Sequence, residues 1–117
     1  MKKSILVCDD EEGIRESFKL ILEKDYELIF ASTGDEAIQK IKASPVDMVI
    51  LDIKMPKKDG LETLKELKKL KPSAKVIIAT GYKSVDTAQE AIRLGASDYV
   101  VKPFDRKTIA EVVRKNS

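Results

Sequence analysis

The sequence predicts an α/β fold, a doubly wound sheet of five parallel strands with five helices covering both of its faces. Two observations support this prediction. Short aliphatic blocks alternate with amphipathic helical patterns five times along the chain, and turn residues separate the blocks. Strict β–α alternation is typical of a parallel sheet buried between two layers of helices. The length of 117 residues suits one domain, so we expect residues 1–117 to form a single unit.

The strand predictions rest on runs of β-branched and aliphatic residues that are bounded by turn residues. A run of this length without alternation is typical of a strand that is buried on both faces. The predicted strands, in order, are Ser4–Cys8, Glu27–Ala31, Asp47–Leu51, Lys75–Thr80 and Asp98–Val101.

The helix predictions rest on apolar residues that recur every three or four positions. Thr33 followed by Glu36 resembles a capping box at the start of the second helix, Pro72 is expected to stop the third, and Gly95 to end the fourth. The five apolar stripes are Ile14, Phe18, Ile21 and Leu22; Ala37, Ile38 and Ile41; Leu61, Leu64, Leu67 and Leu70; Val85, Ala88 and Ile92; and Ile109, Val112 and Val113.

The composition excludes several functional classes. The chain is 43% hydrophobic and 36% charged, which is typical of a globular domain, and its 22 basic and 20 acidic residues leave a net charge of only +2. This balance gives no case for direct nucleic-acid binding. The lysines Lys65, Lys68, Lys69 and Lys71 interleave with leucines, so we interpret them as the solvated face of a helix. No apolar run approaches the roughly 18 residues that a membrane-spanning helix needs.

Cysteine and histidine usage narrows the chemistry further. One cysteine, Cys8, cannot form an internal disulfide, and we expect it to be a small buried apolar residue; the cytoplasm is the expected compartment. The chain contains no histidine, so it can be neither a phosphohistidine donor nor a protein that uses imidazole as metal ligand or base. Its chemistry must depend on carboxylates, lysines and hydroxyl groups.

Carboxylate, lysine and hydroxyl side chains lie at the carboxyl ends of four of the predicted strands. The first strand is followed by Asp9 and Asp10, the third by Asp52, and the fifth by Lys102, while Thr80 ends the fourth. Each has an ordinary structural explanation when taken alone: Asp10 could cap the next helix, Asp52 could accept backbone N–H groups, and the others could satisfy the backbone or face water. Because parallel strands end at one edge of the sheet, we expect all five side chains to meet there.

Three carboxylates at one edge would repel each other strongly. At separations of about 5 Å and an effective dielectric near 20, each pair costs roughly 3 kcal/mol, and three pairs about 10 kcal/mol. Lys102 offsets part of this repulsion, and a divalent metal would offset more. Oxygen ligands without histidine or cysteine suit Mg²⁺, with Mn²⁺ as the alternative. A metal beside a carboxylate and an ammonium group can hold a phosphoryl group in transfer, and an aspartate can be its nucleophile.

Four blocks of the sequence resemble the response-regulator receiver family of two-component signalling. They are Ile5–Glu11 (ILVCDDE), Ile50–Pro56 (ILDIKMP), Ala79–Gly81 (ATG) and Val101–Phe104 (VKPF). The resemblance runs from Lys3 to about Arg114. It implies a flavodoxin-like sheet of strand order 2-1-3-4-5, a fold for which the chemotaxis member of this family is a standard example.

The resemblance also implies a role for each site residue. Asp52 would accept the phosphoryl group, Lys102 would pair with its oxygens, and Thr80 would hydrogen-bond it. Asp10, Asp52 and the backbone carbonyl of Lys54 would bind Mg²⁺, with Asp9 assisting through water. Tyr99 would switch between exposed and buried rotamers together with the threonine; the less favoured alternative is an ordinary amphipathic strand residue. The Lys102–Pro103 bond would be cis.

Three positions are expected to tune the switch. Gly81 has no side chain to block a phosphoryl donor, and we hypothesise that Lys54 and Tyr82 obstruct an attacking water and prolong the phosphorylated state. The loop Met55–Gly60 departs from the family pattern at Lys58, where an apolar residue is common, which puts contacts made by that loop in doubt. The first helix, with Ile14, Arg15 and Phe18, is where the resemblance places the docking phosphodonor, although Phe18 is better interpreted as core.

Three other functions were weighed against this one. An aspartyl-phosphate hydrolase of the haloacid-dehalogenase type needs a second acid where this chain has Lys54. A flavin or nucleotide module needs glycines where the first turn carries acids, Asp9–Gly13. A pseudo-receiver that only binds partners would lack part of the site. We therefore expect a phosphoacceptor rather than a turnover enzyme, acting with a sensor histidine kinase or phosphotransfer protein and with an effector protein or an output domain.

Overall fold

The computed structural model describes residues 2–54, 59–81 and 84–117. Within these ranges strands and helices alternate as the sequence predicted. The strands are β1 (Ser4–Cys8), β2 (Glu27–Ala31), β3 (Met48–Leu51), β4 (Lys75–Thr80) and β5 (Asp98–Val101). The helices are α1 (Glu12–Leu22), α2 (Gly34–Ala43), α3 (Gly60–Leu70), α4 (Val85–Arg93) and α5 (Arg106–Lys115).

The strands form one parallel sheet in the order β2-β1-β3-β4-β5, which confirms the expected topology. The prediction for the third strand was one residue too long, because β3 begins at Met48 rather than Asp47. The backbone of Asp47 still bonds to both neighbouring strands, donating to the Ser4 carbonyl at 2.9 Å and accepting from the Lys75 amide at 3.2 Å. Its side chain also accepts a bond from the Ser4 amide, at 2.8 Å.

Two apolar layers bury the sheet. One contains residues of α2, α3 and α4, and the other contains residues of α1 and α5, so helices cover both faces as a doubly wound sheet requires. Phe18 of α1 is 1% exposed and packs against Phe104, with ring centroids 5.2 Å apart. This confirms that Phe18 is a core residue and links α1 to the segment that follows β5.

The helix boundaries agree with the signals in the sequence. The hydroxyl of Thr33 accepts a bond from the Glu36 amide at 3.1 Å and so caps α2. Glu36 departs from the capping-box pattern, because its carboxylate accepts from the amide of Ser32 instead of that of Thr33. The pKa of the Glu36 carboxyl is lowered, first by this backbone bond. Gly95 follows α4 with a φ of 109°, a conformation that glycine adopts easily.

The buried face of α4 was predicted wrongly. The stripe of Val85, Ala88 and Ile92 suggested a core face, but Val85 is 74% and Ile92 50% exposed, and the buried residue of the helix is Ala91. The physical reason is the rotation of the helix about its axis: the face that carries Ala91 joins the apolar layer of α2–α4, so the larger side chains of Val85 and Ile92 remain outside. Leu70, at the end of the α3 stripe, is also exposed, at 46%.

Lys68 differs from its neighbours on α3. Its ammonium donates to the backbone carbonyls of Pro72 and Ala74, at 2.9 and 3.0 Å, and burial lowers its pKa. It therefore supports the turn that leads into β4 instead of facing water as predicted, whereas Lys65 and Lys69 are exposed. Across the described ranges, the structure has no helix with the length and apolarity to cross a membrane.

Candidate functional site

The parallel strands bring the predicted site residues to one edge of the sheet. The ladder between β1 and β3 pairs Cys8 with Leu51, and it continues one step further, where the Asp52 amide donates to the Cys8 carbonyl at 3.0 Å. The ladder between β4 and β5 ends at Thr80 and Val101. The next residue, Lys102, bonds back through its amide to the Thr80 carbonyl at 2.8 Å. These backbone hydrogen bonds thus fix the Cα positions from which the Asp52 and Lys102 side chains extend.

Three carboxylates form a cluster at this edge. Asp9, Asp10 and Asp52 each place one oxygen within 4.8 Å of the oxygens of the other two. Asp9 is 1% and Asp52 4% exposed, while Asp10 is exposed. The cluster therefore has two buried carboxylates and one that faces solvent, which the sequence did not distinguish.

The Lys102 ammonium bridges the two buried carboxylates. It donates to Asp9 Oδ2 at 2.8 Å and to Asp52 Oδ2 at 3.0 Å, and Glu11 lies at the margin, 3.8 Å away. The side chain of Lys102 is only 13% exposed, so these ion pairs are largely shielded from water. The predicted charge compensation is thus present, and its donor is the predicted lysine.

Burial and pairing act in opposite directions on the pKa values of this cluster. Burial lowers the pKa of the Lys102 ammonium, but the hydrogen bonds to Asp9 and Asp52 outweigh it, and the net pKa is raised. For Asp9 burial is the dominant effect and raises the pKa, although the bond from Lys102 opposes it. The site thus holds an ammonium that keeps its proton and a carboxylate whose ionisation is disfavoured by burial.

Backbone bonds orient both buried carboxylates. Asp9 Oδ1 accepts from the Glu11 amide at 3.0 Å, and Asp52 Oδ1 accepts from the Lys54 amide at 2.9 Å. Both oxygens of Asp9 therefore already have a partner, one in the backbone and one in Lys102. The bond from Lys54 also bears out one alternative considered for Asp52, acceptance of a backbone N–H, but that bond accompanies the ion pair instead of replacing it.

Asp10 does not cap the following helix. The residue at the N-cap of α1 is Glu11, and its side chain makes no capping bond. Arg15, one turn into α1, donates from Nη1 to the Asp9 carbonyl at 2.7 Å and so anchors the turn that carries both acids. The sequence analysis did not predict this contact. The one feature of the sequence that could have indicated it is a basic residue, Arg15, in the first helix shortly after the acidic pair.

The remaining predicted residues surround this cluster. Thr80 is fully buried at the end of β4. Gly81 and Lys54 are exposed, and among the described residues outside its chain neighbours, no atom lies within 4 Å of a Cβ built at Gly81. Tyr82 and the loop residue Lys58 lie outside the described residues. The peptide bond between Lys102 and Pro103 is cis, as predicted.

Tyr99 is separate from the carboxylate cluster. It lies on β5, packs against the apolar layer of α2–α4, and lines a cleft of about 390 Å³ with Ser84, Val85, Ala88 and Val101. This cleft adjoins the exposed apolar side chain of Val85 on α4. Its coupling to Thr80 stays a prediction.

The thiol of Cys8 is buried, and its ionisation is disfavoured. Cys8 is 1% exposed, and burial, together with the neighbouring carboxylates, raises its pKa to about 12. Its Sγ lies 3.4 Å from the Thr33 carbonyl, to which it donates. This confirms the prediction that Cys8 is a small buried residue.

The chain is similar to proteins of one family. The family model described as response regulator receiver domain matches residues 5–114. The chemotaxis protein CheY of Thermotoga maritima is 37% identical, with 100% of this chain and 99% of that protein covered. The transcriptional regulatory protein ZraR of Klebsiella oxytoca is 43% identical over 86% of this chain, which spans only 23% of that protein's length.

A solved structure gives the same result. The CheY-like receiver domain protein of Methanospirillum hungatei superimposes with a TM-score of 0.94 at 34% identity, over 98% of this chain and 93% of that one.

Proposed function

Because the chain belongs to the receiver-domain family of response regulators, phosphoacceptor modules of two-component and phosphorelay signalling, we propose that Asp52 accepts a phosphoryl group from a phosphohistidine. The observation that carries this proposal is the position of the Asp52 carboxylate. It is 4% exposed, lies within 4.8 Å of two other carboxylates, and is paired with Lys102 at 3.0 Å. Such charge concentration is typical of sites that bind a cation and an anionic group together.

The transfer forms one bond and breaks another. A carboxylate oxygen of Asp52 attacks phosphorus, the P–N bond of the donor breaks, and the imidazole leaves with the bonding electron pair. The donor must come from another protein, because this chain has no histidine. Gly81 supports access for that donor, because it has no side chain to block it.

The Lys102 ammonium would pair with the Asp52 carboxylate before the transfer and with the phosphoryl oxygens after it. Before transfer this ammonium pairs with the carboxylates of Asp9 and Asp52 and offsets part of their charge. After transfer the charge near Asp52 lies on phosphoryl oxygens, and the raised pKa of the ammonium keeps its proton available to bind them. Thr80, whose carbonyl already bonds to the Lys102 amide at 2.8 Å, would hydrogen-bond the same group through its hydroxyl.

Mg²⁺ fits the donor set of this site. The three clustered carboxylates offer hard oxygen ligands only, as Mg²⁺ prefers, and Mn²⁺ would accept the same set. As the family resemblance implies, Asp10, Asp52 and the Lys54 carbonyl would be the direct ligands, with Asp9 acting through water. When bound, the metal would neutralise charge that develops on the phosphoryl oxygens.

The output surface would be the side of the molecule formed by α4, β5 and α5. Val85 and Ile92 expose apolar surface on α4, and Tyr99 lines the cleft of about 390 Å³ together with Val85. Phosphorylation would shift an equilibrium between two arrangements of this surface through Thr80 and Tyr99. Val85 and Ile92 would then contact a downstream protein or an output domain.

The partners follow from the family. Receiver domains work with histidine kinases or phosphotransfer proteins, and in regulators such as ZraR the receiver is about a quarter of the chain. We propose a phosphohistidine protein as donor, docked at α1, and a cytoplasmic site of action. Membrane or direct nucleic-acid contacts are not part of the proposal.

The test is intact-mass spectrometry after incubation with acetyl phosphate and Mg²⁺. The parent protein should gain one phosphoryl mass, and Asp52→Asn or a chelator should abolish the gain. Asp25→Asn, at an exposed position outside the cluster, is the matched control and should behave like the parent. A folded parent that binds Mg²⁺ but gains no mass would favour a pseudo-receiver that only binds partners, and the proposal would then fail.

A further inference from the structure

Ile53, the residue after Asp52, lies against Gly60, where α3 begins. The Gly60 amide donates to the Ile53 carbonyl at 3.1 Å, so a backbone bond joins these two residues. A Cβ built on Gly60 would lie 2.7 Å from both the carbonyl carbon and the Cβ of Ile53, and closer still to its Cα. Because two of these atoms belong to the backbone, no rotamer change can relieve the overlap.

Two other glycines show no such overlap. Among the described residues outside their own chain neighbours, a Cβ at Gly13 or at Gly81 would meet nothing within 4 Å. Asp59 supports the same junction from the other side, because its carboxylate accepts a bond from the Leu61 amide at 2.9 Å and caps α3. The start of α3 is thus fixed by its own cap, and Gly60 allows it to lie against Ile53.

Ile53 in turn lies between two groups of the proposed site. It follows Asp52 directly, and the next residue, Lys54, donates its amide to Asp52 Oδ1 at 2.9 Å. The side chain of Ile53 is 8% exposed and belongs to the apolar layer of α2–α4. Ile53 is therefore held by the core through its side chain and by Gly60 through its backbone. A shift of Ile53 would move the Lys54 backbone and its bond to Asp52 together.

We propose that Gly60 is a positioning residue of the metal site. Its close approach to Ile53 holds the Lys54 backbone, and with it the Asp52 carboxylate, in the arrangement that binds Mg²⁺. This inference rests on the proposed function, since it concerns the same site. Linkage makes the effect reciprocal: if the closed contact favours the metal, the bound metal favours the closed contact.

The first test measures the Mg²⁺ dissociation constant by titration calorimetry of folded protein. Gly60→Ala should weaken binding by about tenfold, as expected when support for metal ligands is lost. Gly13→Ala is the matched control, and Val113→Ala, buried in the opposite apolar layer, controls for lost stability. Both should bind Mg²⁺ as the parent does. Unchanged binding by Gly60→Ala, or an equal loss in Val113→Ala, would overturn the proposal.

The second test uses the parent protein and so does not depend on whether Gly60→Ala folds. Amide hydrogen exchange of Gly60 is followed by NMR with and without saturating Mg²⁺. The proposal predicts slower exchange of this amide when Mg²⁺ is bound, with no matching change at Val113. Unchanged exchange of Gly60 in Mg²⁺-bound protein would overturn it. A parent that binds no Mg²⁺ would instead refute the metal site itself, which calorimetry on the parent shows beforehand.

Discussion

Replacing Lys102 by methionine should be costly, because it leaves two buried carboxylates without their cation. The Lys102 ammonium lies 2.8 Å from Asp9 Oδ2 and 3.0 Å from Asp52 Oδ2. Asp9 is 1% exposed and Asp52 is 4% exposed. At an effective dielectric near 20, each attraction is worth about 5–6 kcal/mol before the desolvation of the ions is subtracted. Removing one partner of a buried ion pair typically costs about 3–5 kcal/mol.

Protonation limits this cost. A carboxyl group with an ordinary pKa near 3.9 can be neutralised at pH 7 for about 4 kcal/mol, so we expect a loss of about 3–4 kcal/mol in the free energy of unfolding. In the variant the folded-state pKa of the unpaired carboxyl lies above its unfolded value, so the folded state binds more protons. The variant therefore recovers relative to the parent as pH falls from 7 towards 5, by at most about 1.4 kcal/mol per pH unit.

The assay is urea unfolding in the presence of a chelator at pH 7 and pH 5. Lys69→Met, at an exposed position on α3, is the control and should change stability little. Saturating Mg²⁺ should reduce the penalty of Lys102→Met, because a divalent cation replaces the missing charge. A loss below about 1 kcal/mol at pH 7, or a penalty that grows as pH falls, would refute the electrostatic reasoning.

Three further predictions concern the cap of α2, the buried thiol and the loss of the phosphoryl group. Thr33→Ala should lower the free energy of unfolding by about 1 kcal/mol through loss of the α2 cap, measured by urea unfolding; an unchanged midpoint would contradict it. The Cys8 thiol, with a pKa of about 12, should resist a disulfide reagent at neutral pH until urea is added, whereas rapid labelling of native protein would show that it is accessible. Lys54→Ala combined with Tyr82→Ala should speed loss of the phosphoryl group if these side chains obstruct water, and an unchanged rate would rule that hypothesis out.

Strand positions and the site cluster could be predicted because both depend on local pattern and on one topological rule. Aliphatic blocks mark strands, and parallel strands end at one edge, so Asp9, Asp52 and Lys102 had to meet there once the sheet was inferred. The hydrogen bonds of Lys102 to both buried carboxylates are the three-dimensional consequence.

Other features depend on packing that a sequence pattern does not contain. The stripe on α4 identified an apolar face, but the side chain of the helix that is buried is that of Ala91, while Val85 is exposed. Asp9 and Asp10 are adjacent acids, and only the bonds from Glu11 and Lys102 distinguish the buried one. Position 60 requires glycine because a Cβ there would overlap the backbone of Ile53, which is not its neighbour in the sequence but lies against it in space.

The most direct test of the central claim is to locate the phosphoryl group. The protein is incubated with acetyl phosphate and Mg²⁺ and reduced with borohydride, which converts an aspartyl phosphate into homoserine, and its peptides are then sequenced by mass spectrometry. We expect homoserine at position 52 and unmodified aspartate at positions 9 and 10. Homoserine at Asp9 or Asp10 with Asp52 intact would contradict this expectation.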